Sequence, residues 1–172
     1  MLRASHRFDN SKRRRPEEHD RQAMLTPRYV LEPLRHLMGG IELDPCTEPD
    51  NPTKASRFYH LPSDGVMLPW DACSIFCNPP YGEVRGRWVE RCILAGKEGR
   101  KVALLMPAST ETQQFQRAAF HADTLLLFRG RLKFGVLREN GRQEAASHGS
   151  ALFGFNLDLF SMPQKLGIVV RL

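Results

Sequence analysis

No stretch of the chain approaches the roughly 20 apolar residues that a membrane span needs, which excludes an integral membrane protein. The opening MLRASHRFDN has no apolar core, so it does not read as a secretory signal. The four cysteines, Cys46, Cys73, Cys77 and Cys92, form no CxxC pair. In a chain without a signal they read as reduced thiols, and we expect a cytoplasmic protein. The six histidines are scattered and share no ligand spacing with the cysteines, so no metal site is expected. No Walker-type phosphate loop occurs, and neither Ser109 nor His121 lies in a nucleophile-elbow sequence.

What remains is one domain's worth of ordinary globular sequence. The 172 residues are 41% hydrophobic and 26% charged. A chain of that length buries roughly two-thirds of what its unfolded form exposes. The net charge is +6, with a sequence pI near 9.5, which favours an anionic partner. Half of the excess sits in residues 1–22, where seven Arg and Lys oppose four Asp and Glu. With little apolar to bury, this segment reads as a flexible basic arm whose Arg13, Arg14 and Arg15 suit nucleic acid phosphate. A merely solvated terminus explains it too. The domain proper is read as residues 23–172.

From residue 23 strands and helices alternate. Thr26-Pro27 is a helix start, Thr as N-cap and Pro in the first turn. Val30, Leu31, Leu34, Leu37 and Met38 follow at helical spacing, and Gly39-Gly40 closes the segment. Ile41 to Leu43 reads as a strand ending at Asp44-Pro45, followed by a long loop over 46–63. Ser74 to Cys77 and Lys101 to Met106 read as buried strands, separated by a helix around 84–97. A helix over 110–121 and strands at 124–128, 150–155 and 168–172 complete the pattern. The alternation predicts an α/β layer fold with a mainly parallel sheet.

The sharpest feature is Asn78-Pro79-Pro80-Tyr81, placed where a strand ends. Ligands of open α/β sheets bind outside the carboxyl ends of strands. The Asn78 side chain and the Pro79 carbonyl are two acceptors on a stiff loop, able to receive both hydrogens of a planar amino group. Tyr81 offers a flat face for a base swung out of its duplex. As local structure alone, the tetrapeptide is also a good turn.

The tetrapeptide resembles the catalytic motif of amino-group methyltransferases that use S-adenosylmethionine. The surrounding residues make the likeness narrower. Leu43-Asp44-Pro45-Cys46-Thr47, Asn51, Lys54-Ala55, Tyr59, Asp64-Gly65, Trp70, Phe76 to Gly82 and Trp88-Val89 are similar to the phage-type DNA N-6-adenine methyltransferase (Dam-like) family. So are Leu104 to Ala108, Gly130 to Phe134 and His148 to Leu152, which extends the resemblance over roughly residues 24–156.

The resemblance implies a single-domain Rossmann-like S-adenosylmethionine-dependent methyltransferase acting on duplex DNA, with a role in phage or prophage DNA modification or protection from restriction. Asn78 and the Pro79 carbonyl would hold the amino group, Pro80 would stiffen the loop and Tyr81 would stack on the base. Thr26-Pro27 resembles the segment that contacts the cofactor's methionine part, although a helix cap explains it equally. Asp44-Pro45 falls at the family's first cofactor motif, where a carboxylate could meet the methionine ammonium. Asp64 resembles the acid that takes the cofactor's adenine amino group, and Phe76 either faces that adenine or packs in the core.

One departure concerns the cofactor half. The Gly-rich turn usual after the first strand is missing, and 34 residues separate Asp44 from Asn78. The fold is therefore expected to be abbreviated there, with Glu48 or Asp50 as further ribose ligands. Cys46 follows a proline, as in enzymes with a cysteine nucleophile, but amino-group methylation needs no thiolate. A second basic segment, Arg129, Arg131 and Lys133 followed by Arg138 and Arg142, sets five cations within 14 residues and reads as a DNA phosphate contact. The same chemistry on RNA adenine or a protein glutamine, or a silent DNA-binding relative, are the alternatives.

Overall fold

The computed structural model describes residues 24–80, 82, 84–136 and 143–172. The basic arm with Arg13, Arg14 and Arg15, and also Tyr81, Arg138 and Arg142, lie outside the described residues. The chain order is β1 (Met24–Leu25), α1 (Arg28–Met38), β2 (Leu43–Asp44), β3 (Arg57–Phe58), β4 (Ser74–Cys77), α2 (Arg85–Lys97) and β5 (Lys101–Pro107). Then follow α3 (Gln113–His121), β6 (Thr124–Phe128), β7 (Lys133–Val136), β8 (Gln143–Ala145), β9 (Ser150–Phe155) and β10 (Gly167–Arg171).

Seven strands form one sheet in the order β10-β6-β9-β5-β4-β2-β3. The apolar runs become its central strands because both faces are covered, and their side chains alternate between two cores. Ile75, Val102, Leu104 and Phe153 face α2 and α3. Phe76, Ala103, Leu105 and Leu152 face α1, together with Phe134 from a second, three-stranded sheet ordered β1-β7-β8 and Leu132 just before β7. Among the described residues no helix is long and apolar enough to cross a membrane.

The expected mainly parallel sheet is mixed. β2, β3, β4 and β5 are parallel, but β9 inserts antiparallel between β5 and β6, and β10 returns antiparallel on β6. Five strands thus run one way and two the other. The last strands are joined without crossover helices, which parallel pairing requires. The shortening between Asp44 and Asn78 is real: the stretch 45–73 holds one two-residue strand and no helix.

Local reasons govern the helix ends. Gly39 closes α1 at φ 75°, and the N–H groups of Gly39 and Gly40 reach the carbonyls of His36 and Arg35. The expected Thr26 cap is corrected. Pro27 is the N-cap residue, no side chain caps the helix, and the Pro27 carbonyl accepts from Val30 and Leu31. The Thr26 hydroxyl is turned instead toward Asn78, 3.3 Å away. One edge of the sheet collects the ends of β2, β4, β5 and β6 and the start of β9, since Ser150 pairs with Pro107.

Candidate active site

Two adjoining cavities open at this edge. The larger, about 360 Å³, is walled by the loop after β2 (Pro45 to Pro49), the loop Tyr59 to Val66, and Asn78, Pro80 and Trp88. The smaller, about 30 Å³, is lined by Thr26, Asp44, Thr53, Phe76 and Asn78. Cys46, Thr47, Glu48 and Asn78 belong to both, so the cavities meet at the end of β4. A volume of this order suits a nucleoside-sized ligand.

The expected residues divide between them. Pro45, Asp64, Asn78 and Pro80 line the larger cavity; Thr26, Asp44, Phe76 and Asn78 line the smaller. Phe76 is both core and cavity wall. Pro27 and Pro79 are buried and line neither. Glu48 lies on both cavities, whereas Asp50 is exposed and on neither.

Asp44 is a strongly perturbed carboxylate. Only 2% exposed, it accepts from the Thr53 hydroxyl at 2.8 Å and from the Cys46 N–H at 3.1 Å. Burial pushes its pKa up to about 6, and these hydrogen bonds hold it down only in part. Among the described residues it joins no ion pair. A buried carboxylate facing a cavity without a cation is suited to receive one, such as a ligand ammonium.

The loop beneath Asp44 is held by Asn51, at φ 48°, whose side chain binds the Ala55 carbonyl and N–H at 2.9 and 3.1 Å. Asp64 sits in a tight turn, accepting from Val66 N–H at 3.2 Å and facing Arg87 at 3.7 Å. Next to it, Gly65 lies against the first loop. A Cβ there would be 1.8 Å from the Pro45 carbonyl oxygen. Trp70 fixes this approach by donating to the Gly65 carbonyl at 2.8 Å. Thr53 and Gly65 shape the walls around Asp44 and Pro45, and sequence reasoning left them without a role. For Gly65, the only local signal was a glycine after Asp64.

Cys46 and Cys77 are in sulfur contact at 3.6 Å. Burial raises both thiol pKa values, so neither is an activated nucleophile. No group of three potential metal ligands occurs among the described residues.

Arg129, Arg131 and Lys133 are exposed, beyond the end of β6 and at the start of β7. They line neither cavity. Because β6 runs with β4 and β5, Arg129 and Arg131 follow a strand end on the cavity edge. His148, two residues before β9, has its pKa lowered by partial burial and by the charges of Arg85 and Arg131. Arg85, Arg131 and His148 therefore lie close to one another.

No curated protein matches the chain. The model of the DNA N-6-adenine-methyltransferase (Dam) family matches residues 13–157, from within the basic arm through β9, and the chain belongs to that family.

Proposed function

We propose that the chain transfers a methyl group from S-adenosylmethionine to the N6 amino group of adenine in duplex DNA, as a phage or prophage modification enzyme. The observation that carries this reading is the meeting of two cavities at Asn78, one nucleoside-sized and one holding the buried Asp44 carboxylate. Family membership implies the DNA adenine N6 activity itself.

The residues present fit the cofactor. Asp44 would take its ammonium, beside Phe76 in the smaller cavity. Pro45, Glu48 and Asp64 would line the adenosine part in the larger cavity. Bound S-adenosylmethionine supplies a methyl carbon on a sulfonium, open to in-line attack by an amino nitrogen. Asn78 Oδ1 and the Pro79 carbonyl accept the two amino hydrogens and leave the nitrogen lone pair toward that carbon. Pro80 keeps the loop stiff, and Tyr81 stacks on the extruded base. The surplus proton on nitrogen leaves to water, so no thiolate or metal is needed. Arg129, Arg131, Lys133 and the arm residues Arg13, Arg14 and Arg15 contact backbone phosphates.

The test is transfer of labelled methyl from S-adenosylmethionine to unmethylated duplex DNA. Label is expected on adenine N6, with the rate falling at least about 100-fold in Asn78→Ala. Transfer to RNA or to a glutamine peptide instead of DNA would overturn the substrate. Failure of the wild type to bind cofactor would leave a silent DNA-binding protein.

A further inference from the structure

We infer that Thr26 is a positioning residue: it fixes which end of the Asn78 carboxamide faces the target amino group. This rests on the methyl-transfer reading of the site and gives Thr26 a task other than holding cofactor.

A carboxamide is planar, and its two ends have nearly the same shape and opposite hydrogen-bonding sense. A half-turn of the side chain exchanges them. With its oxygen outward, Asn78 accepts a hydrogen from an amino group. With its NH₂ outward, it presents donors to a donor, and the contact becomes repulsive. The chemistry therefore depends on a bias between two rotamers of similar shape, and something beside Asn78 has to supply it.

Thr26 is placed to do so. Asn78 Nδ2 donates to Thr26 Oγ1 at 3.3 Å. The two residues lie 52 positions apart in the chain, and each is held by a different rigid element. Asn78 leaves the fully buried strand β4. Thr26, 8% exposed, precedes α1, whose Val30, Leu31 and Leu34 are packed in the core. Both side chains line the small cavity that also contains Asp44.

The Asp44 carboxylate, which lines the same cavity, biases the sense of the contact. A hydroxyl can donate or accept, so alone it would tolerate either rotamer. A negative charge in the same small cavity attracts the hydroxyl hydrogen and leaves the oxygen lone pairs for Asn78. It also favours the positive NH₂ end of the amide on its side of the site and disfavours the carbonyl end there. With Nδ2 anchored on Thr26, Oδ1 occupies the other branch of the amide plane.

The test compares Thr26→Val, which keeps the shape and loses the hydroxyl, with Thr26→Ser, which keeps the hydroxyl. With cofactor and DNA saturating, the single-turnover rate should fall about tenfold in the valine variant, the loss of one ordinary hydrogen bond. Dissociation constants for cofactor and DNA, and the melting temperature, should stay unchanged, and serine should restore the rate. Independently of catalysis, the Asn78 side-chain NH₂ signal in ¹⁵N spectra, assigned by its loss in Asn78→Ala, should move in the valine variant and return in the serine one. An unmoved signal overturns the inference. So does an undiminished rate, a loss confined to cofactor affinity, or a serine variant as slow as valine. A wild type that methylates no adenine overturns the methyl-transfer reading instead, while the amide signal still reports whether Thr26 holds Asn78.

Discussion

From β5 to β10 the sheet is a long ladder. β5 pairs with β9 over six residues, β9 with β6 over four, and β6 with β10 over five. From β4 to β3 it thins out: β2 meets β3 over two residues and β4 over one. This half is tied instead by side chains reaching backbone. Arg57 donates to the Asp71 carbonyl and Tyr59 to that of Pro69, both at 2.7 Å, and Trp70 donates to that of Gly65. A ladder fixes many groups at once and leaves no gap between strands. Short strands release their chain early, and the freed loops wall the two cavities. The site is built where the sheet is poorest in backbone pairing, and its contacts break one at a time.

The division is broken most severely from the ladder side. Phe153 in β9 is fully buried and packs edge-on against Phe115, ring centres 5.0 Å apart. Phe153→Ala should cost about 3–5 kcal/mol in denaturant unfolding. Cofactor affinity per folded molecule should not change. A small cost joined to a large loss of affinity would mean that the halves are not separate.

On the loop side, Gly65→Ala should invert that pattern. Its Cβ would meet the Pro45 carbonyl oxygen at 1.8 Å, so one loop must move from the other. Overpacking of this kind costs about 2 kcal/mol, or roughly thirtyfold in cofactor affinity when the cavity wall absorbs it. Binding titration of the variant beside its melting curve would measure both. If the whole cost falls on melting, the loop belongs to the global fold and the contrast fails.

The same contrast explains what could be read in the sequence. The strands at Ser74, Lys101 and Thr124 were legible as apolar runs, the latter pair flanked by Gly99 and Pro107 or by the end of α3. Helices α1 and α2 were legible from their spacing. β3 was not, because Arg57 is exposed, Phe58 is half-buried, and two residues carry no period. The three-stranded sheet was hidden too. The run Arg131 to Phe134 that leads into it reads as a basic loop, although Leu132 and Phe134 turn inward and Arg131 and Lys133 are exposed. Asn78 and Asp44 were singled out by motif and strand end, and both line the cavities. Thr26 and Gly65 act through partners 52 and 20 residues away, Asn78 and Pro45, and no local pattern encodes such a contact.

The mildest perturbation needs no mutation. Asp44 titrates at about 6 in the folded chain, against 3.8 when unperturbed, because burial disfavours its charge. A ligand ammonium binds the ionised carboxylate, so cofactor affinity should fall by about tenfold between pH 7 and pH 5 as Asp44 takes up its proton. Stability should move the other way. The folded state holds this proton more tightly than the unfolded state, so the cofactor-free protein gains stability from Asp44 as pH falls from about 6 to about 4. Calorimetric binding and unfolding across that window would show the two trends crossing. In Asp44→Asn both Asp44 contributions should vanish. Affinity that stays level down to pH 5 in the unmutated protein would remove Asp44 from the ammonium site and leave its carboxylate a support for the Thr53 loop alone.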